Sequence, residues 1–287
     1  MNRSERRPAR SNSTRRGLWL LGLIVITVGL GPWVWPLPAK LIDLGARNAG
    51  PGWAHPLGTD QLGRDLLAQL LAGGRVSLAV AGAAMIVSIS LGTALGVLSG
   101  MFRWLDGPLM RLTDLFLALP VLPLLLITVA LFRAPLSAAL GPETGIFILI
   151  VLAIGATSWM STARILRGEV RALMARDFIR AARSTGTRNG AMITRHVLPN
   201  IIGALTVSAT LGVASAILME SALSFLGLGF PPDMATWGRL LLDGTAHLGN
   251  HPGRALWPGA LITATALAVT WLGDGYRDQN DPRHHAR

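Results

Sequence analysis

The side chains best placed to do chemistry in this sequence are arginines. Arg164, Arg167, Arg171, Arg176, Arg180, Arg183, Arg188 and Arg195 crowd into ARILRGEVRALMARDFIRAARSTGTRNGAMITRHVLPN, residues 163–200, between two segments apolar enough to cross a bilayer. Guanidinium groups in that number recognise and dock; they do not make or break bonds. A segment so charged cannot enter hydrocarbon, and the bias of Lys and Arg toward the cytoplasmic side predicts a cytoplasmic docking loop.

Residues for other chemistry are sparse. The one lysine, Lys40, follows Ala39, so no G-x-x-x-x-G-K-[ST] phosphate loop exists and the chain cannot bind ATP that way. The absence of Cys excludes disulfides, thiolate catalysis and Cys-based metal sites. Neither H-E-x-x-H nor G-x-S-x-G occurs. His247 and His251 are four apart, but Gly249 between them and Pro252 after them argue against a shared helical face, so no metal site is expected. Asp114 and Glu220 fall at the ends of apolar runs, where a carboxylate is expected to be hydrated or paired with arginine. Without a buried carboxylate relay an ion-driven carrier lacks its usual mark, and without a catalytic constellation so does a membrane enzyme. Energy for uphill transport would therefore arrive through a partner.

The elements that position these residues follow from composition. With 51% hydrophobic and 14% charged residues, against about 25% charged in soluble domains, and a mean hydropathy of +0.48, the chain reads as an all-α, polytopic membrane protein whose solvent is a lipid bilayer. A pI near 11.7 raises nucleic acid as a partner, but the charge lies in short arginine blocks beside apolar runs and a single Tyr offers little stacking surface, so no nucleic acid is expected. Six runs have spanning length: Leu18 to Leu37, Val76 to Ser99, Leu112 to Phe132, Gly145 to Ile165, Ile201 to Met219 and Ala255 to Gly273.

These runs divide the chain into a cytoplasmic tail (1–17), a first transmembrane helix (18–38), an external loop with an amphipathic helix (39–75), a five-helix core (76–273) that includes the loop 164–200, and a cytoplasmic tail (274–287). The first run also fits a secretory signal, with Thr14-Arg15-Arg16-Gly17 faintly like a twin-arginine motif; its length and the lack of an A-x-A site favour an uncleaved anchor. Both termini inside puts nineteen of the 26 basic residues in the cytoplasm, as the positive-inside rule requires.

Ser88, Gly92, Gly96 and Gly100 line one face of the second span and predict close packing against another helix. Pro120 and Pro123 predict a kink in the third. In HPLGTDQLGRDLLAQLLAGGR, residues 55–75, Thr59 or Asp60 is placed to cap an interfacial helix that Gly73-Gly74 would break before span two. Residues 221–254, with Pro231-Pro232 and several glycines, predict a folded-back gate at the external mouth.

Within the docking loop, Arg164, Arg167 and Arg171 recur at helical spacing and are expected to face lipid headgroups. Asp177, Phe178, Arg180, Ala181 and Ala182 predict a short helix with Phe178, Ala181 and Ala182 as its apolar face, stopped by Gly186 in the left-handed conformation. A second helix is expected from Asn189, its cap, to a stop before Pro199, with Met192, Ile193, His196 and Val197 on its packing side.

Ala181-Ala182, Gly186 and Leu198-Pro199 at these spacings resemble the EAA loop of bacterial ABC importer permeases, which runs Glu-Ala-Ala, three residues, Gly, nine residues, Ile, one residue, Leu-Pro. Here Arg180 replaces the Glu and His196 the Ile. The ending His196-Val197-Leu198-Pro199-Asn200 is similar to the dipeptide, oligopeptide and nickel permease subfamily. So are His55-Pro56-Leu57-Gly58-Thr59-Asp60 with Gly63-Arg64-Asp65, Ser224-Phe225-Leu226-Gly227-Leu228-Gly229 with Pro231-Pro232 and Trp237-Gly238, and Gly273-Asp274-Gly275 with Arg277-Asp278 and Asp281-Pro282-Arg283.

The resemblance implies the C-type permease of a type I ABC importer: a six-helix subunit of the bacterial inner membrane that forms a heterodimer with a homologous permease. Two cytoplasmic ABC ATPase subunits holding ATP and Mg2+ and a solute-binding protein complete it, with no cofactor on this chain. It implies ATPase coupling through Asp177, Phe178, Arg180, Ala181, Ala182, Gly186, His196, Leu198 and Pro199. It also implies an external gate or binding-protein contact at His55, Thr59, Asp60, Arg64, Asp65, Phe225, Gly227, Pro231, Pro232 and Trp237. Peptides, nickel, glutathione and opines all stay open as cargo.

Overall fold

A computed structural model describes residues 12–280; the first four arginines of the tail and Asp281-Pro282-Arg283 lie outside them. Every regular element among the described residues is helical, apart from one isolated bridge between Thr59 and Asp65. The helices are α1 (Asn12–Val34), α2 (Leu66–Met101), α3 (Arg103–Ala118), α4 (Val121–Leu140), α5 (Pro142–Ala156), α6 (Trp159–Met174), α7 (Asp177–Ser184), α8 (Asn189–Met192), α9 (Leu198–Phe225), α10 (Trp237–Thr245) and α11 (Gly253–Asn280). Six helical stretches are long and apolar enough to cross a bilayer: α1, α2, α4, α5 with α6, α8 with α9, and α11.

Several boundaries differ from the expected ones, each for a physical reason. Gly73 and Gly74 do not break a helix: α2 runs unbroken from Leu66, so the amphipathic segment and the second span are one rod. Glycine costs about 1 kcal/mol in a helix, but here the missing Cβ atoms are what packing needs. A Cβ on Gly73 would meet the Thr236 backbone at 3.1 Å, and one on Gly74 would lie 2.7 Å from the Trp237 ring. The cap is Asp65, which accepts from the Ala68 amide, not Thr59 or Asp60.

Pro120 ends a helix instead of kinking one, so the third span is Val121–Leu140 and Arg103–Ala118 forms a separate, more polar helix. The two sides of the loop from α3 to α4 have extended backbone at Leu119 and Pro120, the conformation that proline imposes on itself and its predecessor. Nor does the helix after Asn189 stop at Pro199. It passes through a π-turn at Ile193–Val197, where the Leu198 amide bonds the Ile193 carbonyl five residues back, and continues as α9. Proline lacks an N–H and its ring crowds the carbonyl four residues earlier; the wider turn makes room for it.

The stripe Ser88, Gly92, Gly96, Gly100 finds its neighbour inside this chain. Cβ atoms on Gly92 and Gly96 would fall 2.9 Å from the Trp159 carbonyl and 2.8 Å from the Ala163 carbonyl, so α2 and α6 touch backbone to backbone. Pro32 in α1 leaves the Val28 carbonyl without its helical partner, and Arg75 of α2 supplies one, its Nε donating at 3.1 Å. One apolar core joins α1, α2, α4, α5, α9, α10 and α11 toward the α10 end; a second lies at the α7 end.

Candidate functional site

Helix α7 is anchored to the bundle chiefly by Ile179. Ile179 is fully buried among Val97 and Met101 of α2, Leu166 and Val170 of α6, and Met192, Val197 and Ile201 of the helix that follows. Ala182 turns inward beside it, while Phe178 and Ala181 face out, Phe178 46% exposed. The inner face is therefore Ile179 with Ala182, not the expected Phe178, Ala181 and Ala182. Ile179 stands three residues before Ala182, and that spacing was the available signal.

Gly186 ends the helix as expected, at φ +79°, with its amide on the Arg183 carbonyl and the Thr187 amide on the Ala182 carbonyl. That six-to-one bond closes the last turn and leads the chain back to the bundle. Phe178 and His196 come together, ring centroids 6.4 Å apart; Leu198 packs against the Ile179 cluster and Pro199 is exposed. Arg180, at the motif's Glu position, pairs with Asp177 one turn earlier, so the outer surface of α7 carries an acid there in place of the one at 180.

Arg164, Arg167 and Arg171 are all paired with carboxylates of α3. Arg164 Nη2 donates to Asp114 at 2.6 Å, Arg167 binds both Asp106 oxygens, and Arg171 lies 3.1 Å from Asp106, so α6 is clipped to α3 along one edge. A fork-shaped guanidinium on a planar carboxylate is the strongest geometry for such a pair. Hydrogen bonds from Arg167, with the positive charge of Arg171 nearby, hold the Asp106 carboxyl below the usual carboxylate range. No spacing rule reveals this clip, because its partners are 61 residues apart.

At the opposite end, residues 55–65 fold into a tight knot. Asp60 accepts from the Leu62 and Arg64 amides, Arg64 Nε and Gln69; Asp65 accepts from the Ala68 amide and Trp35 Nε1 and bonds His55 Nδ1. Thr59, Asp60, Asp65 and Trp237 are buried. Trp237 Nε1 donates to the Leu70 carbonyl at 3.0 Å on the saddle made by Gly73-Gly74. Gly227 takes φ +77° just past Phe225, and the chain folds back through Pro231-Pro232 into α10. Pro232 is exposed, and Phe225, Pro231, His55 and Arg64 are partly so. Lys40 reaches across to Glu143 at 3.1 Å and Asp233 at 3.4 Å, and both carboxylates raise its pKa.

Glu220 departs from expectation. It sits inside α9, fully buried and paired with no arginine; Ser224 donates to its Oε1 at 2.8 Å, with the Ser77, Ser221 and Thr236 hydroxyls close by.

A polytopic helical membrane protein with a short helical elbow at one end of its bundle is the class this geometry defines. The chain belongs to the family described as binding-protein-dependent transport system inner membrane component, which matches residues 92–285. It is 39% identical over 286 residues to a protein named as a peptide permease in Brucella suis biovar 1, covering 99% of this chain and 91% of that one. A peptide transport system permease protein of the same organism is 37% identical over 278 residues, 97% of this chain and 90% of its own. The oligopeptide transport system permease protein OppC of Haemophilus influenzae is 35% identical over 283 residues, 98% and 88% of the two chains.

Proposed function

We propose that this chain is a permease subunit of an ATP-driven importer that carries di- or oligopeptides across a bacterial cytoplasmic membrane. The relatives named for peptide transport support peptides over nickel, glutathione or opines as cargo. The observation that carries the reading is the α7 elbow: a helix held by Ile179, closed by Gly186, with its outer face free. Two cytoplasmic ATPases would hold ATP and Mg2+ and seat α7 in a groove, with both termini of this chain on the same side. A homologous permease would complete the path, and a solute-binding protein would dock over the exposed rim near Pro232, with the buried knot beneath fixing the rim's shape.

Motion of α7 has a physical route upward. Ile179 couples it to α6 and to the helix through the π-turn; α6 carries α3 with it through the Asp106 and Asp114 clips. ATPase closure would thus move a connected set of helices between two arrangements.

An Ala181→Cys variant in the assembled complex tests this. Its thiol should crosslink to the ATPase, and uptake of labelled trialanine should require ATP and survive an uncoupler. No crosslink, or uptake that collapses with the uncoupler and persists without ATP, would favour an ion-driven carrier instead.

A further inference from the structure

Between α2, the α3–α4 junction, the α5–α6 junction and α9 lies a cavity of about 290 Å3. Met85, Thr157, Ser158, Ser161, Thr162 and Ser208 contribute to its wall, with Ser215 and Met219 further along α9 and no ionisable side chain anywhere in the lining. We propose that this cavity is the chain's half of the solute path and that it takes the uncharged amide backbone of an extended peptide, leaving side-chain charge unread. The proposal rests on the import reading above.

Three observations support it. First, the α5–α6 stretch loses its regular helix at Thr157 and Ser158, near the middle of a 33-residue spanning segment, and both residues line the cavity. Irregular backbone at such depth is tolerated only when buried in protein or lining a wet cavity. Second, the Ser208 hydroxyl is buried and has no hydrogen-bond partner. An unmet hydroxyl costs about 1–3 kcal/mol, and a peptide amide or carbonyl passing this wall would remove that cost. Many hydroxyls in these helices bond back to a carbonyl of their own helix, as Thr157 and Thr210 do; Ser88, Thr93, Ser208 and Ser221 do not, and of these four only Ser208 lines the cavity.

Third, three thioethers share the rest of the wall with the aliphatic Leu117, Val121, Ile165 and Leu211. Met85 lies against Gly212, where a Cβ would collide with its sulfur, and Met160 and Met219 are the other two. Unbranched, polarisable methionine repacks around differing shapes, as a surface serving many side chains must. The volume sits at the small end of ligand pockets, roughly 300–1,000 Å3, as befits half of a path closed by a second permease.

The sequence contains no cysteine, so labelling read on this chain, resolved from its partners on a gel, has no background. In the assembled transporter in proteoliposomes, Ser161→Cys and Ser215→Cys should react with a membrane-impermeant thiol reagent, with rates that change at least tenfold between nucleotide-free and ATP-trapped states. Leu131→Cys on the outer side of α4, where Leu131 is 65% exposed, should not react. Separately, Ser161→Arg should slow uptake of Ala-Lys-Ala at least tenfold relative to Ala-Asp-Ala, Ser161→Glu should do the reverse, and the wild type should handle both alike.

Unreactive cysteines at both positions, rates indifferent to nucleotide, or unaltered charge preference in both Ser161 variants would overturn the proposal. Nucleotide-dependent labelling in a complex that transports no tripeptide would overturn its backbone-recognition part and the peptide reading, while a wild type that already prefers one charge would refute the neutral-cavity argument alone.

Discussion

At the α10 end, Asp60 and Asp65 draw donors from loop, helix and side chain, Trp237 is seated on a two-glycine saddle, and Arg254 reaches from α11 to Asn48 and the Thr59 carbonyl. At the α7 end Ile179 is the one fully buried side chain, flanked by half-buried Ala182 and the Phe178–His196 ring contact, and among the described residues no buried polar network braces the elbow. Buried polar networks rigidify when their partners are met. A single apolar plug transmits displacement but allows the elbow to pivot. On the importer reading the difference separates a fixed rim from a moving lever, and mutations should respect it.

The largest effect is expected from Ile179→Asp, which puts a carboxylate into a sealed apolar site at a cost above about 4 kcal/mol. ATPase co-purification and tripeptide uptake should fall by more than tenfold while membrane insertion, read by fractionation, is unchanged. Gly186→Val comes next: a β-branched residue at φ +79° costs roughly 1–3 kcal/mol, and uptake should drop severalfold, with Gly186→Asn milder. At the other end Gly74→Val drives a side chain into Trp237 and Val28 and should cost about 1–3 kcal/mol. That loss should appear as a lower melting temperature in detergent, with ATPase binding retained, and equal loss of ATPase binding would erase the contrast drawn here.

Smaller effects sharpen it. Because Arg167 depresses the Asp106 pKa, the clip's contribution is complete above the unfolded value of about 3.9 and is lost as pH falls through the lower native value. The stability gap between wild type and Asp106→Asn should thus be full at pH 7 and shrink as pH approaches 3, as thermal unfolding would show. Least of all, Lys40→Met removes exposed ion pairs worth about 0–1 kcal/mol, and its effect should vanish in high salt.

Six spans, the helical class and the turn at Gly186 were legible because hydropathy, length and glycine's tolerance of positive φ are local properties. The α7 helix was legible too, but its inner face was not, since Phe178 outweighs Ile179 in size and only the neighbouring helices decide which is covered. Gly73-Gly74 and Pro199 misled in the same way: each is a helix breaker by propensity, overridden by a ring needing space in one case and by a widened turn in the other. The Asp106–Arg167 clip and the buried Glu220 depend on residues far apart in sequence or on surroundings that no window reveals.

The widened turn at Ile193–Val197 has a consequence of its own. A π-turn holds one more residue than the same stretch of α-helix, so this rod carries slack in its register. Drawing the extra residue back into regular winding would slide the upstream stretch along its axis by about 1.5 Å and swivel it by about a quarter of a revolution, with neither end unravelling.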